Sequence, residues 1–198
     1  MDRIDLSGVR IGCAMTGSFC TFRAAFEAWR ALRAIGAELI PILSFNAGSL
    51  DNRFYTAADC RQIFTEICGR EILDSIPAVE PIGPKKLFDL LIVAPCTGNT
   101  LAKIASGITD TPVALAVKSH LRNARPVLLA ISTNDALSGS AQNIGKLMNT
   151  RNIYFVPFRQ DDPMGKPNSA VARFDLLPES ANLALQGRQI QPILLESG

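Results

Sequence analysis

Runs of consecutive apolar residues alternate along the chain with stretches in which apolar residues recur every three or four positions. The first pattern predicts buried β-strands and the second predicts amphipathic helices. Strands are predicted at residues 9–15, 38–43, 87–94, 126–131 and 153–158. Helices are predicted from Phe22 to Ile35, from Leu101 to Ser106 and from Glu179 to Leu185. Three more helices are predicted by one end each: one ends at Cys68, one starts at Pro112 and one ends at Met148. Repeated strand–helix–strand units favour a doubly wound α/β fold, a parallel sheet with helices on both faces.

Local turn chemistry supports the ends of these helices. Thr21 is predicted to cap the first helix, and Gly36 to stop it. Thr56 with Asp59 has the spacing of a capping box, and Gly69 follows as a stop signal.

Parallel sheets of this kind bind ligands outside the carboxyl ends of their strands. The polar segments that follow the predicted strands are therefore the candidate site. They are Thr16 to Phe19, Ser44, Cys96 to Thr100 and Ser132 to Asp135.

The first two segments have the chemistry of a phosphate site. Gly17 lets the backbone approach a ligand, and Ser18 adds a hydroxyl at the N-terminus of a helix. Ser44 could hold a phosphate in the same way, or simply cap its own loop. A single glycine does not make a dinucleotide fingerprint, and an ordinary strand-to-helix turn is the alternative.

The other two segments suggest a planar ligand and a proton acceptor. Small residues around Cys96 predict a flat slot, with Thr97, Asn99 and Thr100 as donors for a heteroaromatic ring. Asn134 could hold a carbonyl or carboxylate. Asp135 could take a proton, or serve only as a loop cap.

Three cations surround a loop near the C-terminus. Arg159, Lys166 and Arg173 suggest an ordered lid, residues 159–172, that supplies positive charge to a dicarboxylate. Solvated loop charges are the alternative. The only histidine, His120, is predicted on a helix surface near the helix C-terminus.

Composition excludes several classes of protein. The chain has 198 residues, is 47% hydrophobic and carries a net charge of +2, which excludes a disordered chain and a strongly basic nucleic-acid binder. Five cysteines without a CxxC pair and one histidine favour neither a disulfide scaffold nor a metal site. No apolar run reaches the ~20 residues of a membrane span. We expect a cytoplasmic protein with one domain, residues 1–198, in which residues 159–198 form a C-terminal lid and helix.

The segment from Ala94 to Ala105 resembles the "PASANT" segment of the FMN-binding flavoproteins, which include cysteine decarboxylases and flavin prenyltransferases. Pro95, Asn99 and Thr100 match that segment, whereas Cys96 stands in place of its serine. The resemblance extends to about Phe158. It implies a Rossmann-like, flavodoxin-related sheet in a homo-oligomer, a trimer or dodecamer, with FMN between subunits.

The resemblance also implies positions for FMN. Its phosphate would lie at Gly17, Ser18 and Phe19, near Ser44, and its isoalloxazine in the slot formed by Cys96, Thr97, Asn99 and Thr100, with Ser132 also in contact. Two features of the decarboxylases are missing. Residues 46–58 contain no histidine, and only Asn134 remains of their Pro-x-Met-Asn-x-x-Met segment.

Within that family, the chain resembles most specifically the B subunits of dipicolinate synthases from spore-forming bacteria. The matching segments are residues 16–22, 95–100, 132–135, 158–163 and 166–169. This resemblance implies oxidation of dihydrodipicolinate in the mother cell, with a partner A subunit that binds a nicotinamide cofactor, NAD(P). Asn134 and Asp135 would be catalytic, and Lys166 and Arg173 would hold the dicarboxylate. A non-catalytic binding or regulatory subunit and a stand-alone decarboxylase or prenyltransferase are the alternatives.

Overall fold

The computed structural model describes residues 4–196. The expectation of one domain over residues 1–198 includes five residues outside this range and stays a prediction. Seven strands form the sheet: β1 Arg10–Met15, β2 Glu38–Leu43, β3 Leu90–Cys96, β4 Val127–Thr133, β5 Ile153–Phe155, β6 Phe158–Arg159 and β7 Ala170–Ala172. The helices are α1 Phe22–Ala34, α2 Phe45–Ser49, α3 Ala57–Cys68, α4 Ile76–Val79, α5 Ile82–Lys85, α6 Gly98–Ser106, α7 Pro112–Leu121, α8 Ala141–Met148 and α9 Leu177–Leu185.

The first five strands are parallel and lie in the order β2–β1–β3–β4–β5. This order confirms the predicted doubly wound sheet and places its switch point between β1 and β3. A short antiparallel addition was not predicted. β7 pairs with the end of β4, where Ser132 lies opposite Val171, and β6 pairs with β7.

Two groups of mutually packed helices flank the sheet. α1 packs against α3 and α9, while α7 packs against α4, α5 and α6, and α6 against α8. β3 is buried along its whole length, as expected of a central parallel strand. Trp29, Phe22 and Phe64 are the largest side chains buried between α1, α3 and the sheet.

Most of the predicted helix ends are confirmed. Thr56 and Asp59 form the capping box of α3, and Gly69 closes that helix in the left-handed conformation. Thr21 is different. It precedes α1, but its hydroxyl donates to the Ser18 carbonyl at 2.9 Å, because a 3-10 turn, residues 19–21, leads into the helix. Among residues 4–196, no helix is both long enough and apolar enough to cross a membrane.

Candidate functional site

A cleft of about 680 Å³ opens at the carboxyl ends of β1, β3 and β4. Its size lies within the range of roughly 300–1,000 Å³ that is usual for small-molecule sites. Nine of the predicted site residues line it: Gly17, Ser18, Phe19, Thr97, Asn99, Ser132, Asn134, Asp135 and Lys166. The topology therefore brings together segments that are far apart in the sequence.

The turn after β1 is tied to the end of β4. The Ser18 and Ser132 hydroxyl oxygens are 2.7 Å apart, and the Ser18 amide donates to the Thr16 carbonyl at 2.7 Å. The amides of Gly17 and Phe19 have no acceptor within residues 4–196. A ligand at this turn would therefore meet two free N–H groups in the segment that leads into α1.

Thr16 joins the ends of β1 and β3. It is buried, its hydroxyl donates to the Pro95 carbonyl at 2.9 Å, and the same oxygen accepts from the Thr97 amide at 3.0 Å. The Ala94–Pro95 peptide bond in this region is cis. The walls of the cleft on either side of the switch point are thus held by buried hydrogen bonds.

The turn after β3 presents the N-terminus of α6 to the cleft. The Thr97 hydroxyl accepts from the Thr100 amide at 3.3 Å and caps the helix. The first amides of a helix have no partner inside it, so those of Gly98 and Asn99 are open to a ligand. Both of these residues line the cleft.

The predicted ring slot is shorter than the sequence indicated. Cys96 is fully buried and the Thr100 side chain turns back to Thr97, so neither side chain lines the cleft. Burial raises the pKa of the Cys96 thiol, which is therefore no candidate nucleophile. The wall available to a planar ligand is Thr97 to Asn99.

A carboxylate lies against this wall, beside Gly98. Asp135 Oδ1 accepts hydrogen bonds from the Thr133 hydroxyl at 2.6 Å and from the Ser140 hydroxyl at 2.8 Å. Its second oxygen, Oδ2, has no donor within the described residues. Asn134, beside it, is exposed at the cleft surface. The two hydroxyl donors fix the orientation of the carboxylate and leave one oxygen to accept a proton.

Two residues that sequence reasoning missed come from the loop between α2 and α3. Arg53 and Phe54 line the cleft, with the Arg53 guanidinium carbon 4.6 Å from the centroid of the Phe54 ring. Arg53 forms no ion pair with any residue of the described chain. The adjacent arginine and phenylalanine in this polar loop were the sequence feature that could have indicated the contact with the cleft. Thus one uncompensated cation lies at the edge of the cleft.

The segment predicted as a lid, residues 159–172, runs from the end of β6 through β7. Lys166 lines the cleft, but its ammonium lies 3.2 Å from Asp161 Oδ2. Burial alone would raise the pKa of Asp161, but hydrogen bonds from Ser169 and Lys166 lower it. The predicted free cation of the lid is therefore already paired with a carboxylate.

Arg173 does not line the cleft, contrary to prediction. Its guanidinium holds Asp175 through two hydrogen bonds of 2.8 and 2.6 Å, and it faces a neighbouring groove. Ser44 is also outside the cleft. Its hydroxyl caps the short helix α2 by accepting from the Ala47 amide at 3.3 Å. The capping alternative considered for Ser44 is the one observed.

The prediction that His120 lies on a helix surface is wrong. Only 1% of the residue is exposed, because its ring packs beside Phe88 with centroids 6.1 Å apart. Burial, followed by the charge of Arg125, lowers its pKa to about 4. Phe88 precedes β3, so His120 lies at the end of the sheet opposite the cleft. Four cysteines are buried as expected, and Cys20 is exposed.

Residues 2–174 match the model of the Flavoprotein family. The chain belongs to the flavoprotein family. It is 47% identical over 192 residues to the B subunit of dipicolinate synthase from Bacillus subtilis (strain 168), covering 97% of this chain and 96% of that protein. The resemblance to the B subunits of dipicolinate synthases is therefore confirmed.

Solved structures agree with this flavoprotein assignment. The crystal structure of the dipicolinate synthase B subunit from Bacillus halodurans C has a TM-score of 0.90 and 41% identity, covering 98% of this chain and 100% of that one. The FMN-dependent cysteine decarboxylase SpaF has a TM-score of 0.67 and 20% identity, covering 91% and 99%. At that identity the second comparison shows the fold alone.

The cleft of this flavoprotein offers amides, hydroxyls and the carboxylates of Asp135 and Asp161. No group of three or more His, Cys, Asp or Glu side chains within residues 4–196 could hold a metal ion. The free amides at the N-terminus of α6 and in the turn after β1 favour an anion. Asp135 lies against the wall from Thr97 to Asn99, beside Gly98. This combination suits a planar, anionic ligand beside a proton acceptor.

Proposed function

We propose that this protein binds FMN in the cleft and acts as the B subunit of a dipicolinate synthase, which oxidises dihydrodipicolinate to dipicolinate. The identity of 47% to such a protein over 97% of the chain carries the proposal. The cleft at the switch point supports it, because its donors suit the cofactor that the family name implies.

The residues of the cleft fit a flavin mononucleotide. The amides of Gly17 and Phe19 and the start of α1 would hold the phosphate, since helix N-termini favour anions. The wall from Thr97 to Asn99 would face the ring, with its free amides as donors to ring oxygens. Arg53, which has no carboxylate partner among residues 4–196, adds a positive charge at the rim.

Oxidation of a dihydropyridine to an aromatic pyridine removes two electrons and two hydrogens. A bound flavin would accept one hydrogen as hydride, with both electrons. Asp135 would take the remaining hydrogen as a proton on Oδ2, because Oδ1 is occupied by Thr133 and Ser140. Asn134, exposed beside it, would hold a carboxylate of the substrate. The pyridine ring formed is aromatic, so the chain has mainly to position the reactants.

Assembly is part of the proposal. Phe45, Leu50 and Phe54, in and after α2, each expose nearly half of their surface, and Phe54 lines the cleft. A second copy of the chain covering this apolar patch would close the FMN site, as expected for a trimer or dodecamer. A partner A subunit carrying NAD(P) would complete the enzyme in the cytoplasm of the mother cell. The experiments below test whether this chain binds the flavin and takes part in the catalytic step.

The cofactor is tested with the purified full chain. Titration with FMN should give saturable quenching of flavin fluorescence and raise the melting temperature, since a ligand that binds only the folded state stabilises it. Riboflavin, which lacks the phosphate, should bind at least tenfold more weakly, through loss of about 1.4 kcal/mol or more. The absence of both effects with FMN would remove flavin from the proposal.

The catalytic role is tested in the assembled two-subunit enzyme with Asp135→Asn. The amide keeps an acceptor for Thr133 and Ser140 but is no base, so the oxidation rate should fall about 10²–10⁴-fold while FMN affinity is kept. Asp110→Asn is the matched control, because Asp110 is an exposed carboxylate paired with Lys103 at 2.6 Å, away from the cleft. Full activity of Asp135→Asn would instead favour the non-catalytic binding or regulatory role. Product formed by this chain alone from a carboxylated substrate or a prenyl phosphate would favour the stand-alone enzyme.

A further inference from the structure

A second groove, of about 570 Å³, adjoins the cleft. It lies between α1 and the segment that runs from β7 to the start of α9. Cys20, Thr21 and Val171 line both the cleft and the groove, so the two depressions are continuous. Nothing in the proposed FMN site uses the remainder of the groove.

The charges of the groove are unevenly compensated. Asp175 is held by Arg173 through two hydrogen bonds, and Glu27 lies 3.2 Å from Arg23. Arg159 is half-buried in the groove and has no carboxylate within ion-pair distance among the described residues. The pKa of Asp175 is lowered chiefly by Arg173 and to a smaller extent by Arg159, so the charge of Arg159 is partly compensated at a distance. The donors of the Arg159 guanidinium have no acceptor within the described residues and are available to an anion from solution.

The rest of the groove suits a small flat molecule. Its α1 wall consists of the short side chains of Ala24, Ala28 and Ala31, and Phe174 and Pro178 lie on the other side. The end that meets the cleft, at Thr21, is the N-terminus of α1, a helix of 13 residues. The partial positive charge of such a terminus adds to that of Arg159 in favouring an anion.

We propose that this groove binds a small planar carboxylate, with its carboxylate on Arg159 and its ring between the alanines of α1 and Phe174. The guanidinium suits this task because it presents a planar fork of donors to a carboxylate. A ligand here reaches the cleft at Cys20, Thr21 and Val171. The choice of a pyridine dicarboxylate as the ligand rests on the proposed function, whereas the site rests on its own shape and charge.

The groove is separate from the substrate position proposed beside Asn134 and Asp135 in the cleft, and it does not use Lys166 or Arg173, the cations expected to hold the substrate. Lys166 already forms an ion pair with Asp161, and Arg173 forms one with Asp175. A substrate anion would have to displace that carboxylate before it could bind. Arg159 requires no such displacement.

Calorimetric titration of dipicolinate into the full chain without FMN tests the groove directly. Arg159→Gln should weaken binding about tenfold or more, because it removes a charge-assisted hydrogen bond. Arg30→Gln is the matched control. Arg30 is exposed on the same helix and lies outside both the groove and the cleft, so its loss should change affinity less than twofold. FMN affinity should stay unchanged in both variants.

Two further arms make the outcome decisive. Ala24→Leu narrows the groove without changing its charge and should also weaken dipicolinate binding. The uncharged pyridine-2,6-dicarboxamide should bind at least tenfold more weakly than dipicolinate to the wild-type chain, a difference of about 1.4 kcal/mol or more.

Three results would overturn the inference. The first is that dipicolinate does not bind the wild-type chain, and the second is that it binds Arg159→Gln as tightly as wild type. The third is that Lys166→Gln weakens dipicolinate binding and Arg159→Gln does not, which would place the ligand in the cleft. None of these measurements needs turnover or flavin. Failure of the oxidation assay or of FMN binding is therefore distinguishable from failure of the groove.

Discussion

Gly98 begins α6 at the tightest point of the cleft, and replacing it with alanine is a direct test of the site geometry. A Cβ at this position would lie 2.6 Å from Ser140 Oγ, 2.6 Å from Thr133 Oγ1 and 2.7 Å from Asp135 Oδ1. Ordinary contact begins near 3.4 Å, so the three oxygens or the start of the helix must move. These are the same atoms that orient the proposed proton acceptor.

The loss of stability in Gly98→Ala follows from the hydrogen bonds and contacts that the added methyl group would disturb. The Thr133 and Ser140 hydroxyls donate to the Asp135 carboxylate, and such charged hydrogen bonds contribute about 1.5–3 kcal/mol each. Overpacking a well-packed site costs about 1–3 kcal/mol. We expect Gly98→Ala to lower the free energy of unfolding by about 1–3 kcal/mol. At about 2–4 °C per kcal/mol in a chain of this size, Tm should fall by roughly 2–12 °C.

Urea and thermal unfolding, followed by circular dichroism, measure this effect. Gly145→Ala is the matched control, because Gly145 lies inside α8 and nothing is within 4 Å of its would-be Cβ. That variant should be more stable than wild type by about 0.4–1 kcal/mol, through the smaller entropy of its unfolded chain. If Gly98→Ala unfolds at or above the wild-type midpoint while Gly145→Ala behaves as expected, the close contacts at Gly98 do not constrain the cleft and the reasoning fails.

Two further predictions concern stability. Because burial lowers the pKa of His120 from 6.5 to about 4, the unfolded chain binds its proton first as the pH falls. The free energy of unfolding should therefore decrease by about 3 kcal/mol between pH 6.5 and pH 4. His120→Asn should remove this part of the pH dependence in urea unfolding, and an unchanged slope would contradict the assignment. Thr16→Val leaves the Thr97 amide without its buried acceptor and should lower the free energy of unfolding by about 1–3 kcal/mol. The control Thr150→Val, at an exposed hydroxyl, should lower it by less than about 0.5 kcal/mol. Equal losses in the two variants would show that the buried link between β1 and β3 is not stabilising.

The parallel sheet was predictable because its signals are local and repeated. β3 reads as a continuous apolar run since both of its faces are covered, and the end of each long strand carries polar residues. Helix ends such as Thr56 and Gly69 follow from side-chain chemistry within one turn. The position of the cleft then follows from topology alone, because carboxyl ends of parallel strands meet at one edge.

The antiparallel addition could not be predicted in this way. β6 and β7 have two and three residues, too few to show a period of two. Their pairing is specified by the partner strand, β4, rather than by their own sequence. The burial of His120 was missed for a similar reason. Phe88, against which its ring packs, lies before β3 and is far from α7 in the sequence.

The two cations predicted to hold the substrate show that a charged residue must be considered together with the acids close to it in the sequence. Lys166 and Arg173 were singled out as cations in a loop, yet each is paired with an acid close by in the sequence, Asp161 and Asp175. Short separations make such pairs inexpensive in chain entropy, so the acids nearest a cation are its most frequent partners. Arg159 is likewise two residues from an acid, Asp161, but β6 ends at Arg159 and the two side chains line different depressions. Which cation of the lid is left for a ligand is thus decided by the course of the chain after β6, and this is why the groove emerges only from the structure.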